Sequence, residues 1–306
     1  MRLARALFAF RAPPGRAPEK RYAPRIMQLV VISGLSGSGK SVALNVLEDA
    51  SFYCVDNLPA TLLGETIDFL RTAGYERVAV TVDSRSGAAL AELPGSIRAL
   101  KALGVDVRLL FLDAATDTLI KRFSETRRPH PLAGSDATVD EAIRRERALL
   151  EEVGELGQRV DTSDLAPNAL RAWIKDLVAA DSSGLTLAFE SFGYKQGIPL
   201  DADLVFDVRT LPNPFYDPKL RPLTGLDEPV VRFLEALPQA QRLLTDIGDF
   251  IERWLPAFVR DNRAYLTVAL GCTGGQHRSV WFAERLASRF RATTRVLLRH
   301  RQLPPR

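Results

Sequence analysis

The sequence predicts an α/β protein: an N-terminal domain with a mostly parallel sheet, followed by a second α/β domain. Three observations predict it. From Met27 onward, short apolar runs alternate with helical stretches. The runs are apolar at consecutive positions, as strands covered by helices on both faces are. The alternation also pauses at Asp181-Ser182-Ser183-Gly184, a small polar interruption, and then restarts.

The elements follow in order. Strands are expected over 29–32, 52–55, 78–82 and 109–112, because each run is short, mostly rich in β-branched or aromatic residues, and closed by a polar residue. Helices fill the spaces near 40–50, 59–73, 88–103 and 116–127. A long helix is expected around 138–158, a fifth strand over 159–162 and a further helix over 167–180. Past the interruption, strands are expected over 185–189, 204–208, 265–270 and 295–298, with helices near 229–237, 240–258 and 278–291. Pro-rich loops such as Leu211-Pro212-Asn213-Pro214-Phe215 separate some of them. The resulting domains are 27–181 and 185–306.

Composition removes several classes. With 306 residues, 46% hydrophobic and 25% charged, the chain has ordinary globular composition. Two cysteines, Cys54 and Cys272, build no disulfide framework, so a reducing cytoplasm is the expected setting. No stretch reaches the ~20 consecutive apolar residues of a spanning helix, and no membrane role is expected. The formal charge of +4 is unevenly spread. Residues 1–26 carry seven basic side chains against Glu19, and the segment from Arg260 onward carries ten arginines against Asp261 and Glu284. An acidic body therefore lies between two basic ends. Four prolines deny residues 1–26 a continuous helix, and they are expected to be a disordered basic extension, with Met27 a candidate start. Arg enrichment without acids also fits an organelle import signal.

Gly34-Leu35-Ser36-Gly37-Ser38-Gly39-Lys40-Ser41 matches G-x-x-x-x-G-K-[ST] between a strand and a helix, the context that this phosphate loop requires. Its glycines let successive N–H groups turn inward, and the helix N-terminus adds partial positive charge. Lys40 is expected to reach the β and γ phosphates and the Ser41 hydroxyl to ligate Mg²⁺, which makes 27–181 a P-loop NTPase domain. Three strands end in Asp56, Asp83 and Asp113, at the edge where a parallel sheet faces its ligand; each is a candidate to hold Mg²⁺ or order a water, or else a helix-capping residue. Arg122, Arg127 and Arg128 are placed like the lid arginines of small P-loop kinases, or form a solvated helix end. His130 is isolated, with no metal cluster around it in the sequence.

A second strand runs into Cys272-Thr273-Gly274-Gly275-Gln276-His277-Arg278-Ser279 ahead of an amphipathic helix. Paired glycines, a helix N-terminus, His277 and Arg278 form another anion-cradle design. The spacing also satisfies C-x5-R, the arrangement of cysteine phosphatases, for which no general acid can be placed. Three readings stay open: a non-catalytic phosphate-bearing ligand, a phosphatase and a structural turn. Beyond the loop, Arg285, Arg289, Arg291, Arg295, Arg299, His300, Arg301 and Arg306 make a basic tail that could neutralise RNA phosphates or form a solvated face.

These segments together resemble the RapZ/YvcJ family of P-loop nucleotide-binding proteins, whose best-studied member is an RNase adapter. The resemblance runs from Met27 to about Gln302 and is carried by GLSGSGKS at 34–41, YCVDNLP at 53–59, LFLDA at 110–114, RFSETRRPHPL at 122–132, DTSDL at 161–165, FESFGYKQGIP at 189–199, DVRTLPNPFYDPKLRPLTGLD at 207–227 and GCTGGQHRSV at 271–280. It implies binding and hydrolysis of ATP and GTP. It also implies a second nucleotide motif on Asp83, Ser84, Arg85 and Ser86, where Ser86 replaces the family's Asn. In the adapter members the C-terminal domain carries small-RNA binding and a glucosamine-6-phosphate site. Thr273, Gly274, His277 and Arg278 match the loop of that site, while Phe215 stands where several members have His. The implied partners are a nucleotide, glucosamine-6-phosphate or another sugar phosphate, small RNA, an RNase and further copies of the chain. A small-molecule P-loop kinase is the alternative.

Overall fold

The computed structural model describes residues 26–133, 137–163, 165–179, 185–260, 263 and 265–303. The basic extension, apart from Ile26, lies outside the described residues, as does Arg306.

The chain opens with β1 (Gln28–Gly34), α1 (Lys40–Asp49), β2 (Tyr53–Val55), α2 (Leu63–Thr72), β3 (Arg77–Thr81), α3 (Leu93–Ala102) and β4 (Asp106–Asp113). It continues through α4 (Thr116–Thr126), α5 (Val139–Leu149), α6 (Glu151–Glu155), β5 (Gln158–Asp161) and α7 (Pro167–Val178). The five strands form one parallel sheet in the order β2-β3-β1-β4-β5. Strand side chains alternate between faces. Leu29 and Val31 of β1 accordingly pack into one core with α2 and α3, while Val30 and Ile32 pack into another with α1 and α7. Burial on both faces explains why the strand reads as an unbroken apolar run.

The second sheet is built from β6 (Thr186–Gly193), β7 (Leu204–Asp207), β8 (Tyr265–Cys272) and β9 (Arg295–His300), in the order β7-β8-β6-β9, again all parallel. Helices α8 (Glu228–Glu235), α9 (Pro238–Arg260) and α10 (Arg278–Phe290) pack against it around Trp281, Phe282 and Leu286. The α/β class and the parallel N-terminal sheet are thus as expected, and the second sheet proves to be parallel as well.

Bounds shift by a few residues in several elements, and three differences have a local cause. The helix expected over 138–158 is two, α5 and α6, meeting at Leu150. The stretch expected to be helical over 88–103 begins as a 3-10 segment, Ser84–Glu92, kinked at Gly87 before α3. Helix α9 reaches Pro238, which occupies its first turn, where a missing N–H costs nothing.

The two sheets meet through buried polar contacts. Asp161 N–H donates to Asp201 Oδ2 at 2.9 Å and Tyr265 Oη to the Leu177 carbonyl at 3.3 Å. Arg299 Nη1 lies 3.0 Å from Glu190 Oε1, and Arg301 Nη2 donates to Asp161 Oδ2 at 2.9 Å. This corrects the reading of the tail as one basic surface. Arg299 and Arg301 are buried among Asp161, Glu190 and Asp201. Arg285 pairs with Glu235, and Arg289 with Asp249 and Glu252.

Candidate functional site

Strand β1 ends at Gly34, where a side chain is impossible: a Cβ would lie 2.0 Å from the Leu112 carbonyl oxygen of the neighbouring β4. Gly39, at φ +104°, caps α1 without a side chain. The opening amides of α1, which have no intrahelical acceptor, are therefore presented with the helix dipole behind them. Lys40 Nζ folds back to donate to the carbonyls of Gly34 at 2.7 Å and Leu35 at 3.1 Å. Burial pushes its pKa below the ordinary lysine value, against the opposing pull of the Glu146 and Asp83 carboxylates.

One cavity of about 610 Å³ opens on this loop. It is lined by residues 36–42 together with Asp56, Asp83, Arg85, Arg122 and Arg128, and by an apolar wall that includes Phe123, Leu165 and Leu170. Arg122 is tethered at the rim: Nη1 donates to the Gly37 carbonyl at 3.0 Å and Nη2 to the Thr162 carbonyl at 2.6 Å. Of the second motif, Asp83 and Arg85 face the cavity, and Asp83 Oδ1 accepts from the Arg85 N–H at 3.0 Å. Ser84 turns inward to Glu146, and Ser86 does not line the cavity. Among the strand-end carboxylates, Asp113 is occupied elsewhere. Burial raises its pKa, while Arg147, whose Nη1 sits 2.8 and 3.0 Å from its two oxygens, pulls it down. Arg127 caps α4 in a left-handed conformation and stays out of the cavity.

Sequence reasoning passed over Glu146 and Thr162 as site residues and set His130 aside as isolated, whereas its Nε2 lies 3.0 Å from Glu146 Oε2. Glu146 is fully buried and reaches the loop, accepting from Ser36 N–H and Ser36 Oγ, both at 2.8 Å. Its signal was available: it falls in line with Ala142, Ile143 and Leu150, a charged residue at a core position of an amphipathic stretch. Thr162 Oγ lies 2.9 Å from the Ser38 carbonyl. Among the described residues, no group of three or more His, Cys, Asp or Glu is arranged to hold a metal ion.

The second loop also runs from a strand to a helix, yet its polar groups turn inward. Arg278 Nη1 donates to the carbonyls of Arg209 at 3.0 Å and Leu211 at 2.7 Å. His277 Nε2 donates to the Leu220 carbonyl at 3.2 Å, and burial lowers its pKa, so the ring favours its neutral form. Cys272 Sγ accepts from the Gly275 N–H at 3.2 Å and lies 3.1 Å from Ser279 Oγ. Burial raises the thiol pKa, but Ser279, Gly275 and Arg278 outweigh it and the net shift is downward. Thr273 and Gln276 are exposed and Gly274 half-exposed. Exposed Phe215, with Arg221 4.8 Å over its ring, lies in the loop that Arg278 ties down.

Two family models match the chain. Residues 27–182 match the model of the RapZ-like N-terminal domain and residues 185–304 that of the RapZ C-terminal domain. A nucleotide-binding protein of Azoarcus sp. is 62% identical over 276 residues, covering 90% of this chain and 94% of the relative. One from Thiobacillus denitrificans is 60% identical over 277 residues, covering 90% of this chain and all of the relative. Among solved structures, shikimate kinase from Bacteroides thetaiotaomicron aligns with 50% of this chain and 99% of its own, at 13% identity and a TM-score of 0.36. With both halves matched and relatives at this identity across nine-tenths of its length, the chain belongs to the RapZ family.

Proposed function

We propose that the chain binds ATP or GTP with Mg²⁺ at the 34–41 loop and hydrolyses it modestly, as a regulatory adapter or sensor in the cytoplasm. The observation that carries this reading is the cavity in which the loop, three carboxylates (Asp56, Asp83 and Glu125) and three arginines converge. Oxygen donors suit Mg²⁺, and the Ser41 hydroxyl with Asp56 or Asp83 supplies them beside the phosphates. The ion would neutralise charge between the phosphates. Lys40, leaving the Gly34 and Leu35 carbonyls, would meet the outer phosphates, and Arg122 and Arg128 would oppose charge on the transferred group. The relatives are named as nucleotide-binding proteins, which supports the assignment.

For the C-terminal half, a sugar phosphate such as glucosamine-6-phosphate is proposed at Thr273 and Gly274, with His277 and Arg278 holding the loop in shape. Small-RNA binding and an RNase partner rest on the family resemblance, since Arg299 and Arg301 face the interior. Exposed Phe250 and Trp254 on α9 suit self-association. Among the described residues no helix is long and apolar enough to cross a membrane.

A small-molecule kinase remains the second reading, favoured by Asp56 and Arg85 standing in the same cavity, where an acceptor could sit. Calorimetric titration with Mg·ATP and Mg·GTP should show saturable binding that Lys40→Ala abolishes; equal binding by the variant would refute the site. Labelled ATP incubated with candidate acceptors should yield free phosphate, and a labelled metabolite would favour the kinase.

A further inference from the structure

Glu146 accepts four hydrogen bonds from three separate parts of the nucleotide cavity's wall. Its Oε1 receives Ser36 Oγ at 2.8 Å and Ser84 Oγ at 2.6 Å. Its Oε2 receives the Ser36 N–H at 2.8 Å and faces His130 Nε2 at 3.0 Å. The histidine's role is fixed by its other nitrogen. Nδ1 accepts from the Leu132 N–H at 3.1 Å, so the ring proton sits on Nε2 and points at the carboxylate. Every lone-pair direction of Glu146 is thereby filled, at a position with no exposed surface. Ser36 belongs to the phosphate loop, Ser84 stands between the cavity residues Asp83 and Arg85, and His130 stands between Pro129 and Pro131, which also line the cavity. His130 further packs on Phe123 of the apolar wall, with ring centroids 5.0 Å apart.

We infer that Glu146 and His130 form a latch that holds the lid segment 127–132 and the Asp83–Arg85 turn against the phosphate loop, so that Glu146 is a positioning residue for nucleotide binding. The inference rests on the nucleotide reading of the 34–41 loop. It explains why a carboxylate lies buried beside an anion-binding loop: its charge is consumed by donors of the wall itself, and it fixes their spacing. A buried polar network fully satisfied in this way specifies one arrangement of the segments that it joins.

Two substitutions separate positioning from bulk stability. Glu146→Gln can keep all four contacts, its carbonyl oxygen accepting from Ser36 N–H and His130 while its amide donates to the two serine hydroxyls, which can reverse. Glu146→Met fills similar space and accepts nothing. Titration with Mg·ATP on folded protein should show Glu146→Gln within about threefold of the parent and Glu146→Met weakened at least tenfold. Hydrogen exchange should rise selectively in 127–132 for the Met variant and stay low for the Gln variant. Should Glu146→Met fail to fold, Ser84→Ala provides the same reading through one contact, with about two- to fivefold weaker binding and faster exchange in 127–132. Unchanged affinity and exchange in the folded variants, while Lys40→Ala still abolishes ATP binding, would overturn the latch and leave the nucleotide site standing. ATP binding that survives Lys40→Ala would instead remove the site on which the latch depends.

Discussion

The two glycine-rich loops share one design and differ in what their cations hold. Each follows the end of a parallel strand and opens a helix, at the sheet edge where ligands bind. At 34–41, among the described residues, Lys40 bonds only to the carbonyls of Gly34 and Leu35, six and five residues away, and so ties no other segment to the loop. At 272–279, Arg278 and His277 bond to carbonyls of Arg209, Leu211 and Leu220, nearly 70 and 57 residues away, and fasten that long loop to the start of α10. The cation of the first loop is held locally; the second has built its cation, Arg278, into the fold. A phosphate at the second loop would therefore meet backbone and Thr273, with Arg278 reaching the loop only through Nη2, 3.3 Å from Thr273 Oγ.

Exchanging a cation in each loop gives the largest effects. Arg278→Ala leaves two loop carbonyls without their charged donor, at ~1–3 kcal/mol each. A stability loss of about 3 kcal/mol in urea denaturation is expected, whatever happens to ligand. Loss of sugar-phosphate binding with stability intact would break the comparison and make Arg278 a ligand residue. Lys40→Ala should behave in the opposite way. Nucleotide binding should drop below detection, the loss of charge-assisted hydrogen bonds to two phosphates at ~1.5–3 kcal/mol each, while the melting temperature of the empty protein barely moves.

Between the loops lies the buried cluster of Asp161, Glu190, Asp201, Arg299 and Arg301. It touches both sides: Thr162, next to Asp161, contacts the Ser38 carbonyl, and Gln302, next to Arg301, sits against Gly275. Burial and the Asp201 carboxylate push the Glu190 pKa up to about 8, although Arg299 and Arg301 pull it down. The folded protein therefore keeps a proton that the unfolded chain releases near 4.5. Stability should fall as pH rises from about 4.5 to 8, by more than about 1 kcal/mol, because one unit of separation is worth about 1.4 kcal/mol. Glu190→Gln should flatten that decline in denaturation midpoints measured across the window. An unchanged slope would show that Glu190 is ionised in the fold.

The sheets were legible chiefly through their inner strands, which are buried on both faces, leaving a run such as Leu29 to Ile32 no polar position to confuse the pattern. The phosphate loop was legible because its chemistry is contiguous. Glu146 was hidden because its partner Ser36 is 110 residues away, and a sequence shows a charge in a helix without showing what meets it. Arg299 and Arg301 misled for the same reason: counting charges assigns them a sign and no direction. The break at Leu150 was missed because residues on both sides of it keep a helical pattern.

The smallest effect tests the remaining reading of the second loop. Cys272→Ser keeps a group that can accept the Gly275 N–H and bond Ser279, in a side chain of nearly the same volume. Stability should drop by no more than about 1 kcal/mol, in the range of near-isosteric swaps, and binding of glucosamine-6-phosphate should stay within about threefold. The thiol's pKa is lowered by its neighbours, yet its side chain is only 3% exposed and sits in the core with Leu270 and Trp281. A nucleophile must reach phosphorus in line with the leaving oxygen, and a sulfur so enclosed has no approach while Arg278 Nη1 is held by the Arg209 and Leu211 carbonyls and Nη2 by Thr273 Oγ. If the parent protein released phosphate from a phosphomonoester and Cys272→Ser removed all of that release, the loop would have to open in solution, and the contrast between the two loops would become one of timing rather than design.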